Sequence, residues 1–271
     1  MEEIQGDLIT TEILLGDLEQ LGVRPGMTLL AHSSMKALGG WVAGGPAAVV
    51  LALEAALGPS GTLVMPTHTG ELTDPAGWRC PPVREAWWDP IRRTMPAYDP
   101  DLSPTYKMGA IPECFRKQKG VRRSSHPHLS FAAWGRRAAE VTGNHSLDYG
   151  LGEDSPLARL YGLDGHILLL GVGHGNNTSL HLAEARSRYR ANAVVHNKAP
   201  MLVNGVRQWV TFRDLDWDSS DFEALGSDYE RAGGTVCKGR IAHAQALLLP
   251  QRPLVDYAVD WLNLNRSGPV D

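Results

Sequence analysis

Apolar and polar positions along the chain alternate between two periods, and the switches mark its elements. Thr10 to Leu21 (TTEILLGDLEQL) carries apolar residues at helical spacing, with threonines at its start and Gly22 at its end, and predicts an amphipathic helix. Arg24-Pro25-Gly26 reads as a turn, and Met27 to Ala31 as a buried strand running into His32-Ser33-Ser34. A helix over about Pro46 to Leu57, a GPSG turn and a strand over Thr62 to Met65 complete a βαβ unit, which builds parallel sheets. Short helices are expected over Met108–Gln118 and Leu157–Tyr161, and a short strand before Gly135. Ala193 to Val210 reads as β-structure with Asn204-Gly205 as a hairpin turn. Phe222–Ala232 predicts a helix, Thr235–Ile241 a strand or turn, and Leu254–Leu262 a last amphipathic helix. This alternation predicts an α/β fold with a mostly parallel sheet plus a β-hairpin region.

Residues 167 to 190 (ILLLGVGHGNNTSLHLAEARSRYR) read as a buried strand, a glycine-rich turn and a helix opening on Asn176, Asn177, Thr178 and Ser179. On that helix His181 and Glu184 are three apart, so they share a face and can touch. A strand's carboxyl end followed by a helix start is where open α/β sheets place their sites. Residues from about 66 to 106 behave differently: they are rich in proline, hold Trp78, Trp87 and Trp88, and show no period. A loop this long is usually functional and here suggests a lid or wall of a substrate site.

Composition narrows the class. With 43% hydrophobic and 21% charged residues the chain is an ordinary soluble one, and 271 residues suffice for one large domain. A net charge of −4 argues against a nucleic-acid partner and is compatible with a cationic small molecule. Cys80, Cys114 and Cys237 are far apart and form no CxxC, so neither a disulfide framework nor a structural zinc site is expected. No cationic leader and no apolar run of membrane-spanning length is present, which makes the cytoplasm the default location and a membrane role unexpected. Gly171-x-Gly173-x-Gly175 lacks the dinucleotide spacing, and no G-x-S-x-G occurs. The remaining histidines have no metal-ligand spacing, so no metal is expected, although a metal-dependent hydrolase stays open as an alternative.

Six segments in order carry a resemblance: LLAHSSMKALG at 29–39, LVMPTHT at 63–69, MGAIPECFR at 108–116, RRSSHPHLSFAAWG at 122–135, YGLGEDSPLARLY at 149–161 and LLLGVGHGNNTSLHLAEA at 168–185. Together they resemble the aminoglycoside 3-N-acetyltransferase (antibiotic acetyltransferase) family. The resemblance spans most of residues 12–262 and implies one domain over 1–271, of three-layer α/β/α architecture distinct from GCN5-type acetyltransferases. It also implies acetyl-CoA as donor and the 3-amino group of a 2-deoxystreptamine aminoglycoside as acceptor, conferring antibiotic resistance. A different small amine is the alternative acceptor, since a fold does not fix a substrate. A monomer or a homodimer would serve.

Within that resemblance His181 becomes a general base, a task suited to an imidazole near neutral pH. Glu184 would orient it, and Thr178 would hydrogen-bond the thioester oxygen or cap the helix. His32, Ser33, Ser34 and Met35 form one expected CoA-binding patch and Arg123, Ser124, Ser125 and His126 a second. A polycationic acceptor needs carboxylates. Asp214 and Asp216, in an acidic run with Asp218 and Asp221, are candidates for acceptor contacts or for a second carboxylate on His181, with Asp74 and Trp78 of the long loop behind them.

Overall fold

The computed structural model describes residues 3, 6–188 and 194–266. Ala193, where the hairpin was expected to begin, and residues 189 and 190 lie outside that set. The chain opens with β1 (Leu8–Ile9) and α1 (Thr11–Leu21), then β2 (Thr28–Ser33), β3 (Trp41–Val42), α2 (Pro46–Leu57) and β4 (Thr62–Pro66). The long loop holds two 3-10 turns and α3 (Trp88–Thr94), and α4 (Ala110–Phe115), β5 (Arg122–Arg123), β6 (Phe131–Gly135), α5 (Ala138–Thr142) and α6 (Pro156–Gly162) follow. Next come β7 (His166–Leu170), α7 (Ser179–Arg186), the hairpin β8 (Val194–Val203) and β9 (Val206–Leu215), α8 (Phe222–Arg231), β10 (Cys237–Ile241), β11 (Ala244–Pro250) and α9 (Gln251–Asn265).

Local chemistry explains several boundaries. Thr10 accepts a hydrogen bond from Ile13 N at the start of α1, and Gly22, at φ 114°, ends it in a left-handed conformation. Pro46 sits in the first turn of α2, where its missing N–H costs nothing. Asn204 (φ 52°) and Gly205 (φ 76°) supply the two positive φ values that a two-residue hairpin turn needs.

The main sheet has the order β10-β11-β7-β2-β4-β6-β5. Only β7, β2 and β4 run parallel; β6 is antiparallel to β4, β5 to β6, β11 to β7, and β10 to β11. The expectation of a mostly parallel sheet is therefore corrected: the sheet is mixed, with a parallel centre and antiparallel flanks. Strand β11 had not been expected at all.

Alternation along the central strands feeds two cores. Leu29, Ala31, Leu63, Met65, Leu168 and Leu170 pack with α1, α2 and α4 residues such as Leu14, Leu53 and Phe115. Leu30, Val64, Ile167 and Leu169 point the other way, into a core with Leu157, Leu180, Phe222 and Leu254. Strand β2 pairs β4 on one side, reached through α2, and β7 on the other. The connection order thus reverses at β2, and the carboxyl ends of β2, β4 and β7 open where α/β sheets leave a crevice. Among the described residues no helix is long and apolar enough to cross a membrane.

Candidate active site

Four side chains gather at those strand ends. His32 lies in β2 and is buried. His68 follows β4, and its backbone carbonyl accepts from Tyr106 N at 2.8 Å. Thr178 and His181 come from the turn and first residues after β7. Asn177, not Thr178, caps α7: its Oδ1 accepts from Ser179 N at 3.2 Å, while Thr178 makes no capping bond with its side chain. The threonine hydroxyl instead lies 3.4 Å from His32 Nε2.

His181 Nδ1 and Glu184 Oε2 form a short hydrogen-bonded contact. This settles the partner left open by the sequence: the carboxylate on His181 is Glu184. The ring's flanks are aromatic, with Trp217 at 5.5 Å and Phe222 at 5.0 Å between centroids. Glu184 is no surface carboxylate; it is 1% exposed. Its Oε1 accepts from Arg266 Nη1 at 2.6 Å and from Asp218 N at 3.3 Å. Burial pushes its carboxyl up, but the His181 and Arg266 contacts outweigh that and hold it below its ordinary value. Glu184 is thus a buried carboxylate that fixes one ring nitrogen of His181.

Burial, with His181 close by, lowers His32 to about 3, and burial lowers His68 likewise to about 3, so both are neutral near pH 7. Ser33 Oγ and His68 Nε2 are buried polar atoms without a partner among the described residues. Such atoms are costly unless something satisfies them, and a polar ligand at the strand ends would do so.

The other expected site residues fall into different surroundings. Ser34 N bonds Leu170 O at 2.9 Å and its hydroxyl accepts from Ala37 N at 3.3 Å, while Met35 packs against the first core. Arg123 is tied inward: its nitrogens donate to Thr67 O, Pro100 O and Ser103 O at 2.7, 3.0 and 2.5 Å. Ser124 Oγ accepts from Phe131 N, and His126 Nδ1 accepts from His128 N and Leu129 N. Ser125 alone of that patch is exposed. In this geometry these bonds of Arg123, Ser124 and His126 run inward to the protein's own backbone and side chains.

Asp214 lies near the end of β9. It is 1% exposed, accepts from Leu215 N at 2.9 Å, and burial pushes its carboxyl up to about 6. Asp216 is exposed just beyond β9. Asp218 Oδ1 accepts from Ser220 N, and Asp221 pairs with Arg266. Asp74 is paired to Arg92 at 2.7 Å and accepts from Ala76 N at 3.0 Å, so it organises the long loop. Trp78 donates to Thr73 Oγ1 and lines a cleft of about 610 Å³ with Leu72, Met95 and Tyr106.

A second cleft, of about 570 Å³, reaches Glu184 and is lined by Asp148, Glu153, Asp154 and Tyr149 among others. Arg213 pairs with Asp148 and Arg186 with Glu153. Among the described residues no group of three or more His, Cys, Asp or Glu side chains is placed to hold a metal ion.

The family model for aminoglycoside 3-N-acetyltransferase matches residues 30–263. The chain belongs to that family. It is an acyltransferase family, and the match takes in every residue of the strand-end site except those contributed by the last turn around Arg266. The SPbeta prophage-derived aminoglycoside N(3')-acetyltransferase-like protein YokD of Bacillus subtilis is 40% identical over 96% of this chain and 95% of its own. The YokD crystal structure superposes with a TM-score of 0.93 over 97% of both chains. Two further acetyltransferases of known structure superpose closely. AAC-IIIb, solved with CoASH, is 28% identical with a TM-score of 0.84 over 98% of this chain and 100% of that one. AAC-VIa, solved with sisomicin, is 33% identical with a TM-score of 0.84 over 97% and 100%.

Arg266, Trp217, Phe222 and His68 were missed by reasoning from the sequence. Spacing could have flagged none of the first three, because each reaches His181 or Glu184 only through the packing of α8 and α9 onto α7. His68 sits in the LVMPTHT segment after a predicted strand, a position that could have been weighed.

Proposed function

We propose that this chain transfers the acetyl group of acetyl-CoA to an amine of an aminoglycoside, at the 3-amino group of its 2-deoxystreptamine ring, with His181 as general base. The observation that carries the reading is the His181–Glu184 pair at the open ends of the three parallel strands. The solved complexes of AAC-IIIb with CoASH and AAC-VIa with sisomicin support donor and acceptor.

In this reading His181 takes a proton from the acceptor nitrogen as its lone pair attacks the thioester carbonyl carbon. The new C–N bond forms, the C–S bond breaks, and His181 returns the proton to the departing sulfur. Glu184 stabilises the imidazolium that exists between those transfers. The Thr178 hydroxyl, braced by His32, donates to the carbonyl oxygen as charge gathers there. Ser33 Oγ and His68 Nε2 fit polar atoms of the donor's pantetheine arm or its thioester, because nothing in the described protein satisfies them. The acidic cleft beside Glu184 suits a polycation.

A second reading has one observation in its favour. Arg213 and Arg186 neutralise two of the four carboxylates in that cleft, which leaves less charge for a polycation and favours a smaller amine acceptor. The test is a panel. Enzyme and acetyl-CoA are mixed with 2-deoxystreptamine aminoglycosides and with simple mono- and diamines, free thiol is followed, and the acetylated nitrogen is located by NMR. Thiol release with 3-N-acetyl products supports the first reading; release only with simple amines replaces it with the second. No release with any acceptor sinks both.

A further inference from the structure

Glu184 accepts from two directions. One oxygen holds His181 on its own helix, and the other receives Arg266 Nη1 at 2.6 Å, from the residue that ends α9 and lies 82 positions away. Arg266 is itself held. Its Nε donates to Asp221 Oδ2 at 2.6 Å, its Nη2 to Asp218 O at 2.7 Å and to Asp221 Oδ1. Its guanidinium also lies 5.7 Å from the Phe222 ring centroid, the same ring that packs on His181. Its side chain is 10% exposed, so the charge is screened little. The last turn of α9 also holds the chain just beyond α7, where Asn263 Oδ1 accepts from Arg188 N at 2.8 Å.

We infer that Arg266 is a positioning residue for the His181–Glu184 pair: it holds Glu184 in place and ionised, and its charge sets the pH at which His181 becomes free to accept a proton. The inference rests on the reading of His181 as the base. A buried carboxylate with one imidazole as its counter-charge would bind the shared proton tightly, and a tightly held proton makes a poor base. A cation on the far oxygen divides the carboxylate's pull.

The charges around the pair come from several elements. His181 and Glu184 lie on α7, Arg266 on α9, and Asp218 and Asp221 on the segment entering α8. His32, neutral at working pH, comes from β2. Asp148 and Glu153 across the cleft are already matched by Arg213 and Arg186, while Asp154 lines the same cleft. The sign follows. Removing the Arg266 charge favours the protonated pair, so the acidic limb of the kcat/KM profile moves to higher pH. Removing the Asp221 charge leaves Arg266 less neutralised and moves that limb to lower pH.

The test compares pH profiles of kcat/KM for wild type, Arg266→Met, Arg266→Lys and Asp221→Asn, with thermal melting of each. R266M is expected to move the acidic limb up by about one pH unit, as loss of one nearby charge does. It should also lower kcat at pH 7 by about tenfold, with little change in KM for acetyl-CoA. R266K keeps the charge and should restore the limb to within a few tenths of a unit. D221N should move it down. If R266M does not fold, the unmoved limb of R266K and the lowered limb of D221N still decide. The inference fails if the limb stays in place in R266M, or if D221N and R266M shift it the same way; with R266M unfolded, an unmoved limb in D221N overturns it. His181→Ala separates the two levels: retained turnover would remove the underlying reading, whereas lost turnover with unmoved limbs would remove only the role of Arg266.

Discussion

Thr178 Oγ1 lies 3.4 Å from His32 Nε2, joining the entrance of α7 to the end of β2 across 146 residues of sequence. Asn177 caps the helix, so the threonine hydroxyl is released from that task. The two side chains should therefore fail differently. Thr178→Ala is expected to lower kcat by about 10²-fold, the order found for loss of one oxyanion donor, with melting temperature nearly unchanged. Asn177→Ala should instead cost about 1 kcal/mol of stability in urea unfolding. A Thr178→Ala enzyme of normal kcat contradicts the role given to the hydroxyl.

Local signals made much of this molecule legible. The threonine and glycine ends of α1, the βαβ unit from β2 to β4, the Asn204-Gly205 turn and the His181–Glu184 spacing all depend on neighbours within a few residues. Strand β11 was hidden because AQALLLP runs into α9 with no turn between them; Pro250 ends the strand and precedes the helix. The antiparallel flanks were hidden because strand direction is set by where a connection returns, which no short window records. The inward hydrogen bonds of Arg123, Ser124 and His126 were hidden because a polar motif looks the same whether it faces a ligand or satisfies its own fold. The burial of Asp214 was hidden for the same reason.

Acid should destabilise the protein earlier than its carboxylates alone would. His145, buried between Ser124 and Gly150 O, is lowered by burial to about 4, and burial lowers His126 and His128 as well. A histidine kept neutral in the fold contributes stability that is complete above about pH 6.5 and is lost as pH falls toward its folded value. For His145 the loss is about 1.4 kcal/mol per pH unit between about pH 6.5 and 4. Asp214, pushed up to about 6, acts in the opposite sense between about pH 4 and 6 and offsets one histidine. Urea unfolding at pH 7.5, 6 and 5 should show a falling free energy, with a shallower slope in His145→Gln. A flat profile would be incompatible with neutral buried imidazoles.

The hairpin grips the long loop through backbone carbonyls. Arg207 donates to Met95 O and Arg92 O, both at 2.6 Å, and Trp209 Nε1 donates to Arg92 O at 2.7 Å. Trp209→Phe deletes one such bond and should cost about 1 kcal/mol. Arg207→Ala deletes two, so limited proteolysis should cut faster within residues 66–106. In the proposed reaction its acceptor KM should rise more than its kcat falls. Unchanged cleavage rates would show that the loop holds its shape without the hairpin.

Gly171, at φ 66°, ends β7 where an added Cβ would sit 2.3 Å from Ala37 Cβ. Gly171→Ala should combine backbone strain with a clash and cost at least about 2 kcal/mol. Thermal melting checks it, and a variant as stable as wild type would mean that the β7–α7 turn relaxes freely.

In the proposed reaction, acetyl transfer depends on His181. The direct measurement is single-turnover acetyl transfer by His181→Ala at pH 7.5, with acetyl-CoA and an accepted amine at saturation and donor binding checked by calorimetry. Loss of a general base predicts a rate lower by about 10²- to 10⁴-fold with donor affinity preserved. A His181→Ala protein that binds acetyl-CoA normally and transfers acetyl at the wild-type rate would contradict it.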